Sequence, residues 1–284
     1  AASSLTRYYL ESGTPPGKWI GSGIGGLPGG VQPGSEVHET QLRRLMGFGQ
    51  DPNTGEQLGR PYRKFATATE RVERRLNRLT VNLSPDEVAA QMVLIEAEEA
   101  AKPTGAPVAG FDLTFSVPKS VSTLWAVADG GTQTLIARAH HAAIQDVLGL
   151  LEREVAATRV GAAGPRGAVA QAEIRGVIAT AYDHYDSRAS DPQLHTHVVV
   201  ANRVQTVRDG KWRTLDSRAL HGAITGLSEH YNAVLTDHLA VLLGVEWEAR
   251  ERGAGRSTAW EIAGVPQNLM DEFSSRTRVI ELVK

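Results

Sequence analysis

The sequence contains no cysteine. That excludes a disulfide framework, every thiolate zinc site, an iron–sulfur cluster and a cysteine nucleophile. Long uncharged apolar runs are also missing. The best, Leu239 to Val245, falls far short of the roughly 18 residues of a membrane span, so no membrane insertion is expected. No basic segment followed by an apolar one opens the chain, and a secretory signal is not expected either. Nor does one sign of charge dominate: 30 Lys plus Arg face 32 Asp plus Glu, and the net charge of -2 argues neither for nor against a polyanionic partner. The chain opens at Ala1 without a methionine and is expected to be a piece of a longer protein. What is present suffices for a core. The 284 residues are 41% hydrophobic and 22% charged, enough for one large or two small domains at roughly 150 residues each.

Residues 13–34 hold nine glycines and several prolines and read as loop, because such a stretch cannot repay its ordering entropy locally. Gly21, Gly23 and Gly26 match a dinucleotide-binding pattern there, but no apolar strand precedes them and no helical pattern follows closely, so the match is read as chance. Ser84-Pro85-Asp86-Glu87 is a capping box that opens a helix running to about Lys102. Phe111 to Ser116 alternates as a strand does, and a helix carrying Val121, Leu124 and Trp125 starts after Pro118. A longer helical pattern covers about Thr132 to Ala157. From Val169 the period becomes two: Ala172 to Ala181, Leu194 to Val207 and Lys211 to Leu215 read as strands, the last two joined by an Asp209-Gly210 turn. Gly222 to Leu243 is helical again, followed by a hairpin (Glu246 to Arg250, Thr258 to Ile262) and a helix after Pro266. Antiparallel strands with segregated helices predict an α+β fold.

Charge is uneven along the chain. Arg60, Arg63, Lys64, Arg71, Arg74, Arg75 and Arg78 oppose only Glu70 and Glu73, a local excess of five positive charges, and the following helix is acidic. Such a stretch is either a solvated helix face or a phosphate-facing patch.

His195-Thr196-His197 begins the apolar run Val198-Val199-Val200-Ala201, which must be a largely buried strand. Residues two apart on a strand share a face, so both imidazoles project together. His184 lies eleven residues upstream, at the end of the preceding strand. If the two strands are antiparallel neighbours, the three rings converge into a set of neutral imidazoles that suits a divalent metal with open positions for water or substrate oxygens. Otherwise they are polar residues on a solvated sheet face. The remaining histidines, His140 and His141 among them, share no such geometry and read as surface or helix-packing residues. Asp112 is a lone carboxylate in the apolar strand Phe111-Asp112-Leu113-Thr114-Phe115, a costly placement unless it is paired. It either orients a ligand histidine, acts as a general base, or bonds a backbone amide at the strand end. Tyr8 and Tyr9 are adjacent in a chain with six tyrosines, and a phenol is a competent nucleophile for a phosphodiester. Packing is the alternative role for such a pair.

Four ordered segments carry a resemblance: FDLTFSVPKSVSTLWA (111–126), DHYDSRASDPQLHTHVVVANRVQ (183–205), DGKWRTLDS (209–217) and FSSRTRVIE (273–281). Together they resemble the relaxase domain of MobF-type conjugative relaxases, the N-terminal domains of plasmid transfer relaxase–helicases in the His-hydrophobic-His endonuclease superfamily. The resemblance implies an antiparallel sheet carrying a three-histidine metal site. It implies a tyrosine that cleaves one strand of single-stranded DNA at a transfer origin, next to a hairpin, leaving a 5′-phosphotyrosine and a free 3′-hydroxyl. His184, His195 and His197 fall on the family's metal ligands and Asp112 on its acidic residue. Magnesium or manganese is the expected metal, with zinc or nickel as alternatives. Lys119, Arg71, Arg74, Arg75, Arg78 and Arg188 are the expected DNA contacts.

The same resemblance implies one relaxase domain over 1–284, with a Gly/Pro-rich segment at 1–35, a catalytic core at 60–220 and a C-terminal helical cap at 221–284 that closes over the single strand. A monomer in the bacterial cytoplasm is expected, working with accessory relaxosome proteins and a coupling protein. Two departures from the family pattern stand out. The middle residue of the histidine pair is Thr196 instead of a large hydrophobe, and only seven residues precede Tyr8, none reading as a strand. Tyr8 and Tyr9 therefore match either the family's nucleophile or its second tyrosine cluster, in which case the nucleophile lies upstream of Ala1. A rolling-circle replication initiator, a DNA-binding module without catalysis and a small-molecule metal hydrolase are the competing readings.

Overall fold

The computed structural model describes residues 15–79, 84–103, 105–161, 168–251 and 258–275. They divide into two compact units, residues 61–109 and the remainder of the chain. Strand β1 (Lys18–Ile20) and the short helix α1 (Glu39–Leu42), continued by a wider helical turn to Phe48, open the larger unit. The smaller unit is a pair of helices, α2 (Ala68–Leu76) and α3 (Pro85–Ala101). The larger unit resumes with β2 (Gly110–Ser116), α4 (Lys119–Val127), α5 (Gly130–Leu150), β3 (Ala157–Gly161), β4 (Val169–Glu173), β5 (Ala179–Asp186) and β6 (Pro192–Ala201). It ends with β7 (Val204–Gln205), β8 (Trp212–Arg213), α6 (Ser217–Leu243), the hairpin β9 (Trp247–Arg250) and β10 (Ala259–Ile262), and α7 (Gln267–Glu272). No helix among the described residues is long and apolar enough to cross a membrane.

Both helices of the smaller unit start where the sequence supplies a reciprocal cap. Thr67 and Glu70 satisfy each other's backbone amides at α2, and Ser84 and Glu87 do so at α3. What joins them is Glu99. It is 3% exposed and takes hydrogen bonds from Lys102 Nζ at 2.6 Å, Arg71 Nε at 2.8 Å and Arg75 Nη1 at 2.9 Å. These three cations hold its carboxyl down to about 2. The unit occupies part of the 60–220 segment that the sequence suggests as one core.

The central sheet of the larger unit has the order β1-β5-β6-β2 and is antiparallel throughout. Its two faces follow from strand alternation. Leu194, Val198 and Val200 of β6, Phe111, Leu113 and Phe115 of β2, and Ala179 and Ala181 of β5 pack into the core that includes Ile136, Ile144 and Val147 of α5 and Leu227, Leu235 and Leu239 of α6. The opposite face carries Asp112, Thr114, His184, His195 and His197.

Three sequence expectations change. The glycine-rich N-terminal segment is not all loop: Lys18–Ile20 pair with Ala181–Ala179 at the sheet edge, anchored by a fully buried Trp19. A three-residue strand is too short to show a period, which is why composition alone pointed to loop. β1 is followed by a single 3-10 turn (Ser22–Gly26), not the helix a dinucleotide motif needs. The expected strand from Ala172 to Ala181 is two strands in different sheets, β4 with β3 and β5 with β6. The break falls at Gly176, whose φ of +109° and contact with Ser22 leave no room for a Cβ. Likewise Leu194 to Val207 divides into β6 and β7 at Asn202-Arg203.

Candidate metal centre

His195 and His184 face each other directly across β6 and β5, and His197 pairs with Tyr182 one step along. Register therefore does what sequence spacing alone could not: it places all three imidazoles on one face. Ring centroids lie 5.0–5.2 Å apart, and the three ligand nitrogens all fall within 4.8 Å of one another.

Two of the rings have their tautomers fixed by their neighbours. His195 donates from Nδ1 to the Gln193 carbonyl at 2.9 Å. His197 donates from Nδ1 to the Asp112 carboxylate at 2.9 and 3.0 Å, with Thr114 Oγ1 at 3.3 Å from the same nitrogen. Each leaves an Nε2 lone pair available to a cation. Burial lowers the pKa of His184 and of His195, and the neighbouring imidazoles push in the same direction. Neutral donors are what a metal requires, since protons compete for the same lone pairs. The donor set fits a divalent ion: three neutral imidazoles, no fourth protein ligand among the described residues, and an orienting carboxylate. Asp112 thus has its partner in the structure, the ring of His197.

Beneath this face runs a feature that sequence reasoning missed. Thr196 and Asp183 form a cross-strand pair on the helix-covered face, Thr196 between His195 and His197 on β6 and Asp183 next to His184 on β5. Thr196 Oγ1 donates to Asp183 Oδ1 at 2.6 Å and accepts from His140 Nε2 at 2.8 Å, and Tyr231 Oη lies 2.6 Å from His140 Nδ1. His141 Nε2 reaches Asp183 at 2.9 Å. His140 and Thr196 are almost fully buried. The readable signal was Thr196 itself, a polar residue alternating with Leu194 and Val198 on an apolar face, which demands a partner.

Burial pushes His140 down to about 3. The folded chain then binds fewer protons than the unfolded one between about pH 6.5 and 3, so stability present above pH 6.5 is lost as pH falls through that window. At about 1.4 kcal/mol per pKa unit, this group alone should remove about 2 kcal/mol between pH 7 and pH 5. Urea unfolding at the two pH values, on wild type and His140→Gln, checks it. The variant should be less stable at pH 7 yet lose less on acidification, and an equal loss in both contradicts the assignment.

The other expected site residues are scattered. Lys119 Nζ donates to the carbonyls of Pro192 (3.1 Å) and Phe273, and burial lowers its pKa. It ties the start of β6 to the end of α7. Arg71 and Arg75 are engaged by Glu99, whereas Arg74, Arg78 and Arg188 are exposed. Tyr8, Tyr9 and most of the 273–281 segment lie outside the described residues.

An antiparallel sheet that presents three neutral imidazoles beside an orienting carboxylate defines a metal-centred α+β domain. The TrwC relaxase family matches residues 1–283, and the chain belongs to that family. A multifunctional conjugation protein TraI from Escherichia coli is 37% identical over 180 residues, covering 60% of this chain. Another, from Escherichia coli strain K12, is 35% identical over 182 residues. The chain spans only 9% of the length of these relatives. Among solved structures, the conjugative relaxase TrwC in complex with oriT DNA, metal-bound, aligns with a TM-score of 0.66 and 23% identity, covering 98% of this chain and 77% of that one. TrwC complexed with a 27-mer DNA comprising the recognition hairpin and the cleavage site gives 0.64 and 24%, covering 98% and 76%. The shared fold is the α+β architecture expected from the sequence.

Proposed function

We propose that this chain nicks single-stranded DNA at a plasmid transfer origin and transfers the strand through a covalent 5′-phosphotyrosine. The observation that carries the proposal is the convergence of His184, His195 and His197 on one sheet face, with Asp112 fixing the ring of His197. Family membership and the relatives' complexes with oriT DNA support it. A divalent cation held by the three imidazoles, magnesium or manganese before zinc or nickel, would polarise the scissile phosphate and offset its developing charge. The Gln193 carbonyl and Asp112 keep the ligand rings oriented. A tyrosine Oη, from Tyr8 or Tyr9, forms the new bond to phosphorus as the bond to the 3′ oxygen breaks. The proton lost by the phenol balances the one gained by the 3′-hydroxyl. The product ester is close in energy to the diester consumed, so strand rejoining needs no nucleotide cofactor.

In this reading Arg74, Arg78 and Arg188 contact phosphates, while Arg71, Arg75 and Lys119 mainly hold protein to protein. Accessory relaxosome proteins, a coupling protein, a monomeric state and a bacterial cytoplasmic setting complete the proposal. Binding of a single-stranded origin oligonucleotide should weaken with salt along a log–log slope of about -2 or steeper, at about 0.7 per neutralised phosphate. Arg74→Ala combined with Arg78→Ala should flatten that slope by about 1.4. A salt-independent affinity would instead favour a small-molecule metal hydrolase.

The direct test uses an end-labelled origin oligonucleotide with magnesium or manganese. A protein–DNA adduct that survives SDS is expected. Nicking without an adduct removes the tyrosine from the mechanism. Origin binding that persists in chelator, with no cleavage in any metal, makes the chain a DNA-binding module.

A further inference from the structure

The face of the sheet opposite the three imidazoles is apolar except at the exposed edge residue Lys18 and at one cross-strand pair, Thr196 and Asp183. Valine at position 196 would continue the run Leu194, Val198 and Val200, so a polar pair there costs desolvation unless every group is satisfied. Here the directions of the bonds are determined. The Thr196 hydroxyl donates its one proton to Asp183, so it accepts from His140 Nε2–H. His140 Nδ1 must then accept, and the proton comes from Tyr231 Oη. A single line of donors runs from α6 through α5 into the two strands and ends on a carboxylate.

The position of that line matters. Asp183 sits between Tyr182 and His184 on β5, and Thr196 sits between His195 and His197 on β6. Immediately beyond, the β5–β6 ladder is broken by a bulge between His184 and Asp186. Main-chain pairing is therefore weakest just where His184 must hold its place against the other two rings. Metal–nitrogen distances tolerate only about 0.2 Å of error. A side-chain bond that locks the Asp183–Thr196 pair, next to His184–His195, the last regular pair before the bulge, supplies the missing constraint.

We propose that Tyr231, His140, Thr196 and Asp183 are positioning residues that set the spacing of the histidine triad from the far side of the sheet. The proposal rests on the triad being a metal centre and names what tunes it. The test is titration of Co²⁺ into the purified chain, read by calorimetry and by the visible absorption of the bound ion. Thr196→Val, which keeps the shape and removes the hydroxyl, should weaken Co²⁺ binding by about 10- to 100-fold and alter the absorption bands. Thr196→Ser, which restores the hydroxyl, should return affinity to within about threefold of wild type. Tyr231→Phe leaves the strand pair intact and should weaken binding severalfold, so it answers the question even if Thr196→Val does not fold.

A merely structural role would lower the melting temperature of these variants and leave Co²⁺ affinity at the wild-type value. That result in folded Thr196→Val, or in folded Tyr231→Phe, overturns the proposal. Wild-type protein that binds no Co²⁺ overturns it too, but through the metal-centre reading, and the two failures are distinct.

Discussion

Replacing His195 or His197 by alanine is expected to abolish nicking while origin binding falls only modestly. Each substitution removes one of three neutral donors, and two imidazoles make a much poorer site for a divalent ion. In the proposed reaction, loss of the cation would leave the charge developing on the scissile phosphate without that partner. Losing a single donor to such charge typically costs about 100- to 1,000-fold, so a loss of 1,000-fold or more is expected here. In the proposed reading DNA affinity rests on other groups, the exposed Arg74, Arg78 and Arg188, whose phosphate contacts would not depend on the triad. The measurement is cleavage rate and oligonucleotide affinity on the same preparations. Parallel losses in both would mean that the histidines serve DNA binding directly.

Asp112→Asn should behave differently. The carboxylate holds Nδ1 of His197 at 2.9 Å, fixing its tautomer and the orientation of its ring. An amide of the same shape can still accept that hydrogen bond but carries no charge, so metal affinity should fall about 10-fold, and no more than 100-fold. Nicking at limiting metal should fall in proportion and recover as metal is raised to saturation. A rate defect that persists at saturating metal would instead place Asp112 in the proton transfer from the phenol, the other role open to a carboxylate there.

Much of the site is legible in the sequence because strand alternation is a local code. The His195 and His197 spacing and the lone carboxylate at Asp112 carry the period of two, and the structure places these three side chains on one face. The eleven-residue step back to His184 is legible only given antiparallel pairing, which the sheet provides. What escaped depends on distant partners. His140 meets Thr196 across 56 residues of sequence and Tyr231 meets His140 across 91, and nothing local marks either as a buried neighbour of the triad. Likewise Arg71 and Arg75 look like a solvated or phosphate-facing patch until α3 brings Glu99 against them. The edge strand at Trp19 is hidden for another reason. Three residues embedded among glycines show no period, and only pairing with β5 makes them a strand.

The most direct test of the account is metal reconstitution. Protein stripped with chelator should not cleave a single-stranded origin oligonucleotide, and should regain cleavage as one equivalent of Mn²⁺ is bound. The His184→Ala, His195→Ala and His197→Ala proteins should neither bind that equivalent nor recover. Full cleavage by stripped protein, or Mn²⁺ binding of wild-type strength in all three variants, would contradict the assignment of the triad as the metal centre of the nicking reaction.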